Sequence, residues 1–151
     1  MKNDYMTNLL CDKNYTTEFS PGSWELHTPK MQKIEITGSS FKGPLQIYPG
    51  TALTYLDLSN TAITFKTQGA DGDYNVCPNL KTLILNDFKG SVTLNNCNML
   101  ENIEMSGATL ESLEINPYQG DCSFTKTNIK SINIVSTSEN ATFSLTNDST
   151  V

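Results

Sequence analysis

The chain contains no arginine and only one histidine. Its ten basic residues are all lysines, set against 16 acidic ones for a formal net charge of −6. Phosphate recognition favours arginine forks and clustered positive charge, so nucleic acid is not expected as a partner. The chain also lacks any run approaching the ~18–20 apolar residues that cross a bilayer as a helix, so membrane insertion is not expected. Met1-Lys2-Asn3-Asp4-Tyr5 has none of the apolar character of a secretory signal. The compartment stays open on these grounds, with a cell surface or a virion within reach. Four cysteines, Cys11, Cys77, Cys97 and Cys122, include no C-x-x-C pair. With a single histidine to join them, a zinc site is not expected, nor any other metal or cofactor. Charged residues make up 17% and hydrophobic ones 37%. Asn and Thr fill the gap, a composition that suits stacked short strands with polar corners rather than a disordered chain.

What the chain does have is a repeat. Five hexads read apolar-x-x-apolar-x-apolar: Met31 to Ile36, Leu53 to Leu58, Leu80 to Leu85, Leu100 to Met105 and Ile129 to Ile134. Their last three residues alternate as a half-buried strand does. Each is followed by a shorter alternating pair: Leu45/Ile47, Ile63/Phe65, Val92/Leu94, Leu113/Ile115 and Phe143/Leu145. Turn formers such as Gly38, Gly43-Pro44, Asn60, Asn86-Asp87, Gly90, Gly107 and Asn116-Pro117 fall between them.

No single coil can bury its own apolar residues, but stacked coils share a core. The expected fold is therefore an all-β, right-handed repeat solenoid of about five coils over residues 31–151, with an N-terminal capping segment over 1–30. Ile34, Leu56, Leu83, Ile103 and Ile132 should form one inward row, with Ile36, Leu58, Leu85, Met105 and Ile134 beside it. The second strands should add Leu45/Ile63/Val92/Leu113/Phe143 and Ile47/Phe65/Leu94/Ile115/Leu145. Insertions at 68–73 and 119–121 should leave the stack on one side. An antiparallel sandwich also has short strands at regular spacing, but it does not require one hexad to recur in register.

Cys77-Pro78-Asn79-Leu80-Lys81-Thr82-Leu83-Ile84-Leu85 and Cys97-Asn98-Met99-Leu100-Glu101-Asn102-Ile103-Glu104-Met105 resemble the C-x-x-L-x-x-L-x-L element of leucine-rich repeats. They look most like the bacterial surface-antigen (BspA-like, treponemal) class. Leu53 to Thr61 looks like an ordinary leucine-rich repeat, with Asn60 near the asparagine of its turn. The chain departs from that class in its uneven repeat lengths, in having no long helical segment and in missing the alanine-phenylalanine pair. The resemblance implies a recognition or adhesion module rather than an enzyme, and it transfers no ligand.

No catalytic residues are expected. His27 lies before the first coil with no nucleophile-like serine or cysteine near it in sequence. Glu35 and Asp57 should stack on the outward row Glu35, Asp57, Ile84, Glu104, Asn133, with Tyr55 beside them. That pair could belong to a carbohydrate-active β-solenoid enzyme, but a solvated face accounts for it better. The next outward row, Gln32, Thr54, Lys81, Glu101, Lys130, alternates in sign at one end and favours in-register stacking. Asp71-Gly72-Asp73 with Asp121 falls short of a calcium loop. Cys77 and Cys97 should stack inside as small hydrophobes.

The expected function is non-enzymatic recognition or scaffolding, with Tyr55, Asp57, Ile84, Glu104 and Asn133 as the surface facing a protein or glycan. Ile132, Ile134, Phe143 and Leu145 should form an open layer near Val151. Such a layer could dock on a second copy or on another subunit, as in a phage virion or cell-surface assembly.

Overall fold

A computed structural model of the chain describes residues 7–11, 24–27, 29–39, 41–48, 52–66, 77–95, 97–118, 121–125, 128–129, 132–136 and 143–146. No helix occurs among these residues. The strands in chain order are β1 (Asn8–Cys11), β2 (Trp24–His27), β3 (Lys33–Ile36), β4 (Lys42–Tyr48), β5 (Tyr55–Asp57), β6 (Ala62–Lys66), β7 (Thr82–Ile84), β8 (Ser91–Asn95), β9 (Asn102–Ser106), β10 (Thr109–Leu110), β11 (Leu113–Tyr118), β12 (Asp121–Thr125), β13 (Asn128–Ile129), β14 (Ile132–Ser136) and β15 (Phe143–Thr146).

The chain winds as a β-solenoid. A first sheet orders β1-β3-β5-β7-β9-β12-β15, and a second orders β14-β11-β8-β6-β4-β2. A short β10-β13 pair bridges a corner between them, and every pairing among the described strands is parallel. Parallel neighbours in two alternating sheets arise when successive coils lie on one another at the strand spacing of about 4.8 Å. Asn8–Cys11 and Trp24–His27, in the segment expected as a cap, lie parallel to β3 and β4 as one further strand in each sheet.

The hexads explain the first sheet. In β3, β5, β7 and β9 the alternate side chains are buried, so one face of each strand turns inward. Ile34 stands opposite Leu56, Leu56 opposite Leu83, and Leu83 opposite Ile103, as the periodicity requires. Ile36, Leu58, Leu85 and Met105 form the adjoining buried set, and Met31, Leu53, Leu80 and Leu100 a third. Burying each such side chain contributes about 1.5–3 kcal/mol, gained only when a neighbouring coil covers it.

Two turns frame β7 and β9. Before β7 and β9, Leu80 N–H donates to the Cys77 carbonyl (3.2 Å) and Leu100 N–H to the Cys97 carbonyl (3.1 Å). The C-x-x-L element is thus a tight turn. After β3, β5, β7 and β9, the residue two past the last buried apolar side chain takes a positive φ: Gly38, Asn60, Asp87 and Gly107. Gly and Asn tolerate that region best, and Asp with its short side chain follows. These corners stack, because Asn60 N–H donates to the Asn86 carbonyl (2.6 Å) and Asp87 N–H to the Ser106 carbonyl (2.7 Å).

The expected rows need correction at the C-terminal end and in the second sheet. Ile132 and Ile134 do not continue the Ile103/Met105 rows; they stand opposite Leu113 and Ile115 in the second sheet. The first-sheet strand there is β12, whose Cys122 and Phe124 face Ile103 and Met105. Phe143 and Leu145 stand opposite Cys122 and Phe124, again in the first sheet. The physical reason lies in Leu110-Glu111-Ser112-Leu113-Glu114-Ile115, which also reads apolar-x-x-apolar-x-apolar across a corner and a second-sheet strand. Ile129 to Ile134 repeats that stretch, not the first-sheet hexad, and pairs with it through β13 and β14.

In the second sheet Leu45 faces Phe65, and Phe65 faces Val92, while Ile63 stands opposite Gly43. Ile63 therefore sits one inward position earlier than expected. A Cβ on the buried Gly90 would collide with the Ile63 carbonyl oxygen and the Phe88 ring, so the absence of a side chain lets these coils close. The 68–73 insertion lies outside the described residues.

Candidate functional site

The strand alternation that buries Ile34, Leu56, Leu83 and Ile103 turns their sequence neighbours outward. One outward row runs Leu10, Glu35, Asp57, Ile84, Glu104. The row beside it runs Asn8, Lys33, Tyr55, Thr82, Asn102. Tyr55, Asp57, Ile84 and Glu104 therefore share one face, as the hexads imply. Asn133 does not join them, because it stands opposite Glu114 in the second sheet. Ile132, Ile134, Phe143 and Leu145 divide between β14 and β15, the last described strands of the two sheets. The third outward row is continuous through backbone bonds from Thr54 to Gln32, Lys81 to Thr54 and Glu101 to Lys81, while Lys130 lies outside the described residues.

Lys33 and Asn102 are additions to the expected surface. Both occupy the third position of their hexads, two residues before Glu35 and Glu104, so the period of two already placed them on this face. The Lys33 ammonium lies 3.0 Å from Glu35 Oε1 and 4.8 Å from the centroid of the Tyr55 ring. The hydrogen bond from Lys33 to Glu35 is the main cause holding that ammonium above its ordinary value, against a lowering by burial. The Tyr55 phenol is also held up, first by burial and then by the Asp57 and Glu35 carboxylates, with Lys33 pulling the other way.

The remaining acids are oriented by local donors. Asp57 Oδ1 accepts from Ser59 N–H (2.8 Å) and from the Ser59 hydroxyl (2.6 Å). Asn102 Nδ2 donates to Glu104 Oε1 at 3.1 Å. The centre of the face is thus a half-buried tyrosine and isoleucine edged by three carboxylates whose oxygens are partly engaged within the sheet.

Other candidates resolve differently. Glu35 and Asp57 are adjacent in the ladder. Glu35 Oε1 meets the Lys33 ammonium, and Asp57 Oδ1 accepts from Ser59. Cys77 and Cys97 are buried thiols at matching places in successive coils. Burial pushes the Cys77 thiol far up, with Cys97 adding to it, and a thiol so disfavoured as an anion packs as a small hydrophobe. His27 lies opposite Tyr48 at the edge of the second sheet. Asp71 to Asp73 lie outside the described residues. Among the described residues no group of three or more His, Cys, Asp or Glu is placed to hold a metal ion, and no helix is long and apolar enough to cross a membrane. No protein-family model, no curated protein and no solved structure matches the chain.

Proposed function

We propose that the chain is a non-enzymatic recognition or scaffolding module that presents the outer face of its first sheet to a protein or a glycan. The observation that supports this most directly is Tyr55. Its ring is only half-buried among Lys33, Glu35 and Asp57, on a face whose backbone positions are locked by parallel ladders on both sides. An amphipathic ring on a rigid support binds at low entropic cost. In the finer reading the winding is right-handed and leucine-rich-repeat-like. Five second-sheet strands after residue 31 support about five coils, and residues 1–30, which add one strand to each sheet, would close their N-terminal end.

The test is an array of glycans and extended peptides probed with the native chain and with Tyr55→Ala. A hit that disappears in the variant, at unchanged circular dichroism, supports recognition through this face. Hits indifferent to Tyr55 remove it. A second reading, a subunit of a virion or cell-surface assembly, draws on β14 and β15 standing last among the described strands of their sheets. A monodisperse monomer in sedimentation at tens of micromolar would count against it.

A further inference from the structure

We infer that the outer face of the first sheet is built for a cationic partner: an extended protein segment carrying lysine or arginine, laid along the Glu35, Asp57, Ile84, Glu104 row. The inference rests on the recognition reading above and selects a basic polypeptide over a neutral glycan. Charge complementarity is the first argument. This row holds three carboxylates, of which Lys33 in the row beside it meets Glu35 at 3.0 Å, while Asp57 and Glu104 have only the neutral donors Ser59 and Asn102 against them among the contacts described above. Glu35 and Asp57 are direct ladder neighbours, and like charges so placed oppose stacking. Lys81 and Glu101 in the third outward row alternate in sign instead.

The second argument is that the chain already makes the proposed contact with itself. The Lys33 ammonium sits over the Tyr55 ring at 4.8 Å while touching Glu35 at 3.0 Å. An aromatic face beside a carboxylate is the environment that holds an ammonium or guanidinium. Asp57 and Glu104 extend that environment on either side of Ile84, whose half-buried side chain offers an apolar contact to the stem of an incoming lysine.

The experiment titrates the full chain with a lysine oligopeptide, using a neutral oligosaccharide and a glutamate oligopeptide as comparisons. Binding is expected for the lysine peptide alone. It should weaken steeply as salt shortens the Debye length from about 30 Å at 0.01 M to about 3 Å at 1 M. Asp57→Asn, which keeps the acceptor for Ser59, and Glu104→Gln should each weaken it about two- to five-fold. Glu114→Gln on the second sheet removes the same charge elsewhere and should leave the affinity unchanged. Equal loss in Glu114→Gln, or no binding at low salt, overturns the inference. If the lysine peptide fails while an array ligand still depends on Tyr55, recognition stands and only the cationic assignment falls.

Discussion

The two sheets of the solenoid obey different rules. In the first, β3, β5, β7 and β9 repeat one register, and their buried residues face one another without offset. In the second, β4 and β6 pair through Gly43 opposite Ile63, and the β11–β14 register shifts between Ile115 and Tyr118. The difference lies in what flanks the strands. In the first sheet β7 and β9 sit between a tight turn and a positive-φ corner, as at Cys77–Leu80 before β7 and Asp87 after it. Their start and stop are therefore set by local chemistry. Second-sheet strands follow the corner but lead into connections of unequal length, so only the fit of side chains fixes their register.

The strongest way to break this contrast is to empty the first sheet's central row. Leu83 is fully buried between Leu56 and Ile103. Leu83→Ala should lower unfolding free energy by about 2–5 kcal/mol, through lost burial plus the cavity left behind. Denaturant titration checks it, and the slope should stay constant if the coils still unfold together. A loss under about 1 kcal/mol would mean that the row is not close-packed.

The second sheet should fail from overfilling instead. A Cβ on Gly90 meets the Ile63 carbonyl, which is backbone and cannot swing away. Gly90→Ala should therefore cost about 3 kcal/mol, at the upper end of overpacking. Gly107→Ala is the useful contrast. It meets only the Asp87 carboxylate but sits at a φ of +69°, so its penalty is conformational, about 1 kcal/mol. Equal losses at the two positions would show that Gly90 is not the tight point between coils.

That contrast also explains which features could be read from the sequence. The hexads at 31–36, 53–58, 80–85 and 100–105 gave the inward rows and the outward face correctly, because period two and fixed turns leave no freedom there. The fifth hexad misled because Leu110 to Ile115 carries the same pattern around a corner. Ile129 and Ile132 each follow their partners Leu110 and Leu113 by 19 residues, and this regular step was the better signal. β12 escaped notice because Gln119 stands three residues before Cys122, where the other first-sheet hexads carry their leading apolar residue. Spacing would also have corrected Ile63. Phe65 follows Leu58 by seven residues, as Val92 follows Leu85. The Lys33–Tyr55 contact was not visible, since side-chain reach depends on geometry that a pattern does not carry.

Thr61 lies where the two sheets meet and is a smaller test. It is the buried polar residue among those whose burial is described, and its hydroxyl donates to the Leu58 carbonyl at 2.7 Å. Thr61→Val keeps the shape but strands that carbonyl, so a loss of about 1 kcal/mol is expected by thermal or denaturant unfolding. A gain in stability would show that the corner is held by packing and that the hydroxyl is dispensable.

The finest distinction concerns the outer face, where effects should appear in titration more than in stability. Tyr55 has its phenol raised by burial and by Asp57 and Glu35, with Lys33 lowering it. A value raised in the folded state means that the fold favours the protonated phenol. The associated stability is complete below the unfolded tyrosine value of about 10 and is lost as pH climbs through the higher folded value. Alkaline difference absorbance, native minus Tyr55→Phe, should place this phenol above an ordinary tyrosine. Lys33→Met should move it further up by removing the cation over its ring, whereas Asp57→Asn should bring it down. If Lys33→Met lowers the midpoint instead, the ammonium does not sit over Tyr55 in solution, and the two outward rows are not coupled as their geometry indicates.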